Sequence, residues 1–500
     1  MTSVNTNVGA IVSAANMKAM EREMDTAIAR LSSGSRINSA KDDAAGMAIV
    51  SKMEAQVKGL TQAIRNGVDS QKLIDTTEGA HQEVVNILQR LRELAVQSSN
   101  DTNDAIDRTF LKSESTQLIA EIDRISNQTT WNGFNIMDGT FASKQFQLGA
   151  NANEDVTVSV DTVASASIGN YQVNGEAPVY TGAADTIGAH NLIVSGYVGS
   201  TTVAVAANAS AKTAAASINS STASTGVEAT AVTNASLSAL SATGTVTFNI
   251  GSQTAASEAA ISVAVTDVSD LRGMRDAINA VAGTTGITAK MSSATNATII
   301  LNHSTGEDIM ISDFAVGVAA TTLTLTALDI NEATTTSSGG TAVNLASVAA
   351  AGAFDDAVVT GHLQLNSHKT FTVTTSNTTT EQNFFDTTAT STSALSAISA
   401  INIGTASGAE SAILAIDGAI NKVNSSRADL GAISNRLDNT ISNLSNIVMN
   451  TEASISNIRD ADFSKETSNL TRAQIMSQAA TSMLAQANAS KQSVLSLLQG

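Results

Sequence analysis

Histidines and acidic residues are the side chains of this sequence that could catalyse a reaction or bind a metal, because the chain contains no cysteine. That composition excludes disulfides, thiolate nucleophiles and cysteine-based metal sites. A zinc protease needs two histidines and a glutamate in the order H-E-x-x-H on one helix face. No such pattern joins the five histidines, which are His81, His190, His303, His362 and His368.

Two acidic pairs, Glu307-Asp308 and Asp355-Asp356, are the other candidates for chemistry. Paired carboxylates can act as acid and base, but in loops they are usually solvated. A glycine-rich phosphate loop followed by lysine is also missing from the sequence. We therefore expect no catalytic residue, no metal site and no cofactor, and a protein that is not an enzyme.

The charge balance excludes further classes of function. The 500 residues include 27 Lys and Arg against 45 Asp and Glu, a formal charge of −18. Nucleic-acid binding needs clustered basic residues, so it is not expected. No apolar run approaches the roughly 18 residues of a membrane-spanning helix, and the start lacks the pattern of a secretory signal. We expect no membrane insertion and no cleavable signal peptide.

The N-terminal region has the apolar spacing of long helices. The stripe of the first helix ends before Gly34, a residue suited to a left-handed C-terminal cap. Ser39 is the predicted N-cap of a second helix, with Asp42 and Asp43 in its first turn. That helix, over residues 42–98, would span about 85 Å, and a third should end near residue 127. The first stripe consists of Met17, Met20, Met24, Ala27 and Leu31.

The C-terminal region repeats the same spacing. One stripe runs from Ile413 to Val448, and a last helix follows residues 457–460. Because a lone helix cannot bury its stripe, the terminal seams should pack against each other or against neighbouring subunits. The predicted seam of the last helix consists of Met476, Ala480, Met483, Ala487, Val494 and Leu498.

Alternating residues predict β-structure between these helices. Phe146 and Leu148, then Val156, Val158 and Val160, indicate a hairpin packed on the helical rod. The middle, residues 165–406, contains a loose repeat in which an Ile-Asn pair is followed by Thr-Gly. Ile218-Asn219 and Ile278-Asn279 mark its two copies, each predicted as short helix, turn and strand. A disordered Ser/Thr-rich stalk is the alternative, but strand-like pieces and scarce proline favour folded β-containing domains.

Several segments closely resemble bacterial flagellins, the subunits of the flagellar filament. The similarity covers residues 1–160 and 408–500, and the Ile-Asn/Thr-Gly repeat is similar to an insertion motif of some flagellins. The matching segments read RLSSGSRINSAKDDAAG from Arg30, LQRLRELAVQ from Leu88, SRADLGA from Ser426, IRDADF from Ile458 and MLAQAN from Met483.

The resemblance implies an α+β fold in which both termini form a long coiled-coil rod, with a hairpin and one or two β-containing domains inserted in the middle. Residues 1–41 with 460–500 would form an inner coil that lines the filament channel. Residues 42–164 with 407–459 would form the rod, and 165–406 a variable outer insertion. The implied protein is exported by the flagellar export apparatus, with an export chaperone and a filament cap, and polymerises outside the cell.

The resemblance also implies site residues. Leu88, Gln89, Arg90, Leu94 and Glu114 match rod positions that flagellins use for subunit contacts and that animal Toll-like receptor 5 recognises. Leucines of the seam and solvated charges are the alternative reading. Asp42 and Asp43 match the spoke that contacts neighbouring protofilaments, or are cap charges only.

Two other functions remain open at this point. The hook-filament junction protein shares the terminal architecture, although its ends are less similar to this chain. Outer domains that act as an adhesin or bear O-linked glycans are permitted by the Ser- and Thr-rich middle, whose composition points to no individual site.

Overall fold

The computed structural model describes residues 6–175, 179–181, 187–252, 258–292, 295–318, 321–330, 342–347, 355–376, 383–385 and 390–498. The chain forms two compact units. A helical unit combines Met1–Asp75, Ser143–Val158 and Gly431–Gly500, and a mixed unit combines Thr76–Ala142 with Ser159–Leu430.

Helices dominate both ends of the chain. No helix in the described part of the chain has the length and apolar character needed to cross a bilayer. The helices are α1 (Val8–Ser33), α2 (Ala44–Ser99), α3 (Ala105–Gln128), α4 (Ala211–Asn219), α5 (Thr222–Thr225), α6 (Arg272–Ala280), α7 (Ala282–Thr285), α8 (Ala406–Arg459) and α9 (Phe463–Leu498).

The predicted end of α1 is confirmed, but the predicted start of α2 is wrong. Gly34 follows α1 with a φ of 70°, the left-handed cap. The N-cap of α2 is Asp43, whose Oδ1 accepts a 2.8 Å hydrogen bond from the Gly46 amide. Ser39 lies before the helix and donates its hydroxyl to Asp42. Asp43 prevails because its carboxylate reaches the third helical N–H, which Ser39 is too far upstream to do.

Helices α1 and α9 pack antiparallel. Arg30 pairs with Glu466 at 3.1 Å near one end of the helix pair. Near the other end, the side-chain amide of Asn7 donates to the Ala487 carbonyl. Ala27 and Ala473, each 2% exposed, lie in the buried seam. Alanine at these points lets the two backbones approach closely.

The α1 stripe is placed as predicted. In α9 the predicted Ala480 and Ala487 lie in the seam, whereas the predicted Met476 and Met483 do not. Met17, Met24 and Leu31 are half-buried. Met476 and Met483 are 49% and 63% exposed and point away from the seam. The seam positions of α9 are Ala473, Ser477, Ala480, Leu484 and Ala487. An alanine-rich helix offers two similar stripes, and here Leu484 rather than Met483 faces inward. The side chains of Val494 and Leu498 lie outside the described residues.

The predicted hairpin packs on α2 within the helical unit. Strands β3 (Lys144–Gln147) and β4 (Asp155–Val158) pair antiparallel, with Phe146 opposite Val156. Gly67 of α2 permits the contact, because a side chain there would meet Leu148 at 3.2 Å. The short hairpin of β1 (Thr130–Trp131) and β2 (Phe134–Asn135) belongs to the mixed unit.

The middle of the chain folds into antiparallel sheets, so the fold class predicted from the sequence is confirmed. The remaining strands are β5 (Gly169–Asn174), β6 (Val179–Thr181), β7 (His190–Ser195), β8 (Ser200–Val205), β9 (Glu228–Ser238), β10 (Gly244–Gly251), β11 (Ala259–Val265), β12 (Thr288–Met291), β13 (Ile299–His303), β14 (Ile309–Val316), β15 (Thr322–Leu328), β16 (Ala342–Ala346), β17 (Ala357–Val359), β18 (His362–Ser367), β19 (Thr372–Thr375), β20 (Ser391–Thr392) and β21 (Ala394–Ala397).

Three larger sheets organise these strands around two apolar cores. One sheet has the order β11-β10-β14-β17-β6, and another has the order β20-β19-β7-β8. The largest has the order β12-β13-β9-β18-β5-β21, with β15 and β16 added beside β9. One core surrounds Phe248 and Phe314, and the other surrounds Phe371 and Phe384. A 3-10 turn, Ile398–Ala400, leads back toward α8.

The repeated Ile-Asn motif joins a short helix to the strand that follows it. The Asn219 side chain donates to the Ala229 carbonyl at 2.8 Å and accepts from the Ala229 amide at 2.7 Å. Asn279 makes the same two bonds with Ala289, at 2.8 and 2.7 Å. Gly226 and Gly286, which end the helical part of each copy before its strand, have a φ of 72°. The predicted helix-turn-strand unit is thus confirmed in both copies, and the asparagine supplies its internal tie.

Asn219→Ala and Asn279→Ala are each expected to lower the free energy of unfolding by about 2 kcal/mol, because each leaves a backbone N–H and C=O without a partner. Urea denaturation of the single variants measures the effect. Asn344→Ala, at an exposed position of β16, is the control and should cost less than about 0.5 kcal/mol. Equal stability of all three variants would show that the tie is dispensable.

Candidate functional site

The exposed sides of α2 and α3 form the candidate contact surface. Arg90 of α2 donates to Glu93 and to Glu114 of α3, both at 2.9 Å. The side chains of Arg90 and Glu114 remain 49% and 44% exposed. The hydrogen bonds that Arg90 donates to these two carboxylates, the one to Glu93 most of all, raise the pKa of Arg90, so its charge is fixed. We name Gln89, Arg90, Glu93, Phe110 and Glu114 the α2–α3 face.

The structure separates the five predicted site residues into two groups. Gln89, Arg90 and Glu114 are exposed and belong to the α2–α3 face. Leu88 and Leu94 are fully buried, with relative exposures of 0%. Those leucines pack inside the mixed unit and present no side chain to a second molecule.

Phe110 is a residue of this face that the sequence reading did not identify. Its side chain is 69% exposed, one turn before Glu114 on α3, and Ile106 one turn earlier is 64% exposed. Residues four apart lie on one side of a helix. The signal in the sequence is this apolar pair, Ile106 and Phe110, spaced four residues apart.

Ion pairs join α2 to α8 within the mixed unit. Arg92 contacts Asp417 at 2.7 Å, and Arg427 contacts Glu78 at 2.7 Å. The Arg427 side chain is 28% exposed, and Glu78 compensates its charge. These ion pairs tie α2 to α8, while the side chains of Arg90 and Glu93 remain 49% and 68% exposed.

Asp42 and Asp43 have separate local roles. Asp43 caps α2, as described above. Asp42 accepts hydrogen bonds from the Ser39 hydroxyl and amide and from the Asn38 amide. The Ser39 hydroxyl contributes most to lowering the pKa of Asp42. Both carboxylates therefore order the turn between α1 and α2, which leaves their predicted spoke role as a proposal.

The histidines do not form a catalytic constellation in the described part of the chain. His81 lies on α2, fully buried, and neither ring nitrogen has a hydrogen-bond partner among the described residues. Burial is the main cause that lowers its pKa to about 4. His362 on β18 is 3% exposed, and burial likewise lowers its pKa to about 4. Both rings are thus neutral parts of the interior near neutral pH.

One acidic cluster does form. Asp313 of β14 joins Asp355 and Asp356, with carboxylate oxygens within 4.8 Å of one another. The Asp356 carboxylate accepts from the Asp313 amide, and Asn249 donates to the Asp313 carboxylate. The sequence identified the adjacent pair but not Asp313, because only the pairing of β14 with β17 brings it near. These N–H donors stabilise part of the negative charge of the cluster. Partly exposed acidic clusters of this kind are common without a bound ion.

Comparisons with known proteins assign the family. Residues 4–142 match the family described as "Bacterial flagellin N-terminal helical region", and residues 413–498 match "Bacterial flagellin C-terminal helical region". The B-type flagellin of Pseudomonas aeruginosa is 36% identical over 506 residues, covering 99% of both chains. The chain belongs to the bacterial flagellin family. A flagellin of Salmonella muenchen is 32% identical over 528 residues, also with 99% of each chain covered.

The middle of this flagellin also matches a known element. Residues 191–244, which include the first Ile-Asn copy, match the "Flagellin hook IN motif". The solved structure of FliC from Burkholderia pseudomallei is 23% identical and covers 73% of this chain, with a TM-score of 0.29.

Family membership settles the general function. The chain is a structural subunit that polymerises with copies of itself into the extracellular bacterial flagellar filament, the propeller of swimming motility. The relatives along the whole length are flagellins, so the hook-filament junction protein is not favoured.

Proposed function

We propose that the α2–α3 face is a subunit contact of the filament. The observation that carries the proposal is the exposed Arg90, paired with two carboxylates beside exposed Phe110. Exposed ion pairs contribute little to folding stability, so this cluster is not needed to hold the monomer. Arginine and aromatic side chains are enriched where protein contacts concentrate their binding energy.

Arg90→Ala and Glu114→Ala should therefore weaken polymerisation while leaving the monomer folded. We expect the critical concentration for seeded assembly to rise about tenfold for Arg90→Ala, the effect of about 1.4 kcal/mol at a contact. Light scattering and filament length in electron micrographs measure the change.

Arg124→Ala is the matched control. Arg124 pairs with Glu121 at 2.5 Å on the same helix α3, with 51% of its side chain exposed. The Arg124→Ala chain should assemble like the unmodified chain. Unchanged filament yield and length for Arg90→Ala and Glu114→Ala would eliminate the contact.

The same face is the proposed recognition surface for animal Toll-like receptor 5. Gln89, Arg90 and Glu114 offer exposed polar groups to a receptor, whereas Leu88 and Leu94 act only by packing. A receptor reporter assay with soluble monomers separates the two roles, because Arg90→Ala should reduce signalling even where no filament forms. Full signalling from that variant would remove receptor recognition from this face.

The terminal helices provide the other proposed contacts. Apolar side chains on the outer sides of α1 and α9 are exposed in the single chain and are suited to neighbouring copies. Residues 1–41 with 460–500 would then form the channel-lining coil, 42–164 with 407–459 the rod, and 165–406 the outer insertion. Asp42 and Asp43 would serve as the spoke between protofilaments. The exposed set comprises Val8, Ile11, Val12, Ile475, Met476 and Met483.

The proposal also covers how the chain is exported and whether the filament catalyses a reaction. The chain would leave the cell through the flagellar export apparatus, with an export chaperone in the cell and a filament cap at the growing tip. The filament would carry no catalytic activity, which protein and glycan hydrolysis assays on purified filaments test directly.

A further inference from the structure

Carboxamide side chains are concentrated on one face of the eight-stranded sheet. Asn302 of β13 lies directly opposite Asn234 of β9, and Gln364 of β18 lies opposite Asn174 of β5. Residues directly opposite in an antiparallel pair share a face, as do alternate residues along a strand, which adds Gln172. The intervening residues of these strands face the apolar cores. Neutral hydrogen-bonding groups from four adjacent strands thus share a single surface.

A cavity of about 540 Å³ lies over this surface, inside the mixed unit. Its lining includes Gln172, Asn234, Asn302 and Gln364, together with Ser407 from the first turn of α8. Asn234 and Gln364 are 2% and 3% exposed, so these amides are fixed parts of the wall rather than mobile surface groups. The volume is that of a small-molecule site, about 300–1,000 Å³.

The carboxamides are held in place by one another. Asn302 donates to the Asn234 side-chain oxygen at 2.7 Å, and Asn234 donates to the Asp329 carbonyl at 2.9 Å. Gln364 donates to the side-chain oxygens of Asn174 and Gln172, at 2.8 and 3.3 Å. A carboxamide offers two N–H donors and two acceptor lone pairs. Within the described residues these bonds leave the Asn302 oxygen and the Gln172 amino group with capacity for a ligand.

We propose that this cavity binds a neutral sugar residue. Adjacent hydroxyls of a sugar each donate and accept, and a preordered array of carboxamides supplies both functions without a charge. Glu410 is the charged residue of the lining in the described part of the chain. Its negative charge opposes acidic sugars and phosphates. This ligand class is independent of the polymer contact proposed above, which lies on α2 and α3.

Saturation-transfer NMR on the full-length soluble monomer tests the proposal. The probes are free glucose, galactose and N-acetylglucosamine, with N-acetylneuraminic acid as the acidic comparison. Transfer from the protein to at least one neutral sugar is expected, with little or none to the acidic sugar. Asn302→Leu and Gln172→Met, which keep side-chain size closely, should weaken binding of the neutral sugar about tenfold each.

Asn344→Leu, an exposed asparagine on β16 outside the cavity lining, is the matched control and should bind the sugar normally. Glu410→Gln should retain the neutral sugar and gain transfer to N-acetylneuraminic acid. Circular dichroism confirms that each variant is folded. Absence of transfer to all three neutral sugars, or equal loss of binding in the control and cavity variants, would overturn the proposal.

Discussion

The mixed unit loses stability as the pH falls from 6.5 to 4, and replacing His81 with leucine is expected to make that loss smaller by about 3 kcal/mol. His81 is fully buried, and neither ring nitrogen has a partner among the described residues. Burial is the main cause that lowers its pKa to about 4, and Arg427 lowers it further, against the opposing charges of Glu78 and Asp161.

The sign of the effect follows from proton binding. Below the unfolded pKa of 6.5 the unfolded chain takes up a proton at His81, whereas the folded chain resists until about pH 4. The stabilising contribution is therefore complete above pH 6.5 and is lost as the pH falls through this window. Each pH unit within it costs about 1.4 kcal/mol. Leucine has no proton to bind, and it also removes two unsatisfied polar atoms from the interior.

Urea unfolding of the helices, followed by circular dichroism at pH 7 and near pH 4.5, measures the difference. His362, whose pKa is also about 4, contributes equally to both chains and cancels in the comparison. Gln82→Leu changes the exposed neighbour on the same helix and should keep the full pH dependence. A His81→Leu chain with the same acid sensitivity as the unmodified chain would contradict a neutral, buried His81.

Leu94→Ala is expected to lower the free energy of unfolding by about 3 kcal/mol, because the side chain is fully buried and its removal leaves a cavity. Gln89→Ala, five residues earlier on the exposed side of α2, should change it by less than about 0.5 kcal/mol. Denaturant melts of the two monomers measure both values.

The variant that loses most stability should not be the variant that polymerises worst. Where the Leu94→Ala monomer is still folded it should polymerise, since the α2–α3 face is intact, whereas Arg90→Ala should fold well and polymerise poorly. An opposite result, with Leu94→Ala as stable as the unmodified chain but unable to assemble, would place Leu94 at the subunit contact after all.

Local sequence patterns predicted the helices and the hairpin because their causes are local. The 3.6-residue period, Gly34 after α1, and the alternation from Phe146 to Val158 each depend on neighbours within a few residues. The Ile-Asn repeat was similarly visible because Asn219 and Asn279 each bind a backbone group ten residues ahead.

The sequence-based predictions were wrong or incomplete where two local conformations have similar energies, or where residues meet only because distant strands pair. The seam of α9 is rich in alanine, so the stripe through Met483 and the stripe through Leu484 differ little in apolar area. Asp43 and Ser39 are both good caps, and only the path of the turn decides between them. Asp313 joins Asp355 through the pairing of β14 with β17, which no local pattern indicates.

Family motifs pointed to one segment of α2 without separating the roles of its residues. Leu88, Arg90 and Leu94 stand within one matching stretch, but the helix places the two leucines inside and the arginine outside. A motif records which residues occur together, whereas burial determines which of them can touch another subunit.

Helical reconstruction of native filaments, at a resolution that shows side chains, tests the central claim most directly. We predict a filament built along its length from this chain, with Arg90, Phe110 and Glu114 covered by a neighbouring subunit. A filament in which the α2–α3 face remains open to solvent would contradict the proposed contact. Confinement of the chain to a thin band at the hook would contradict its role as the filament subunit.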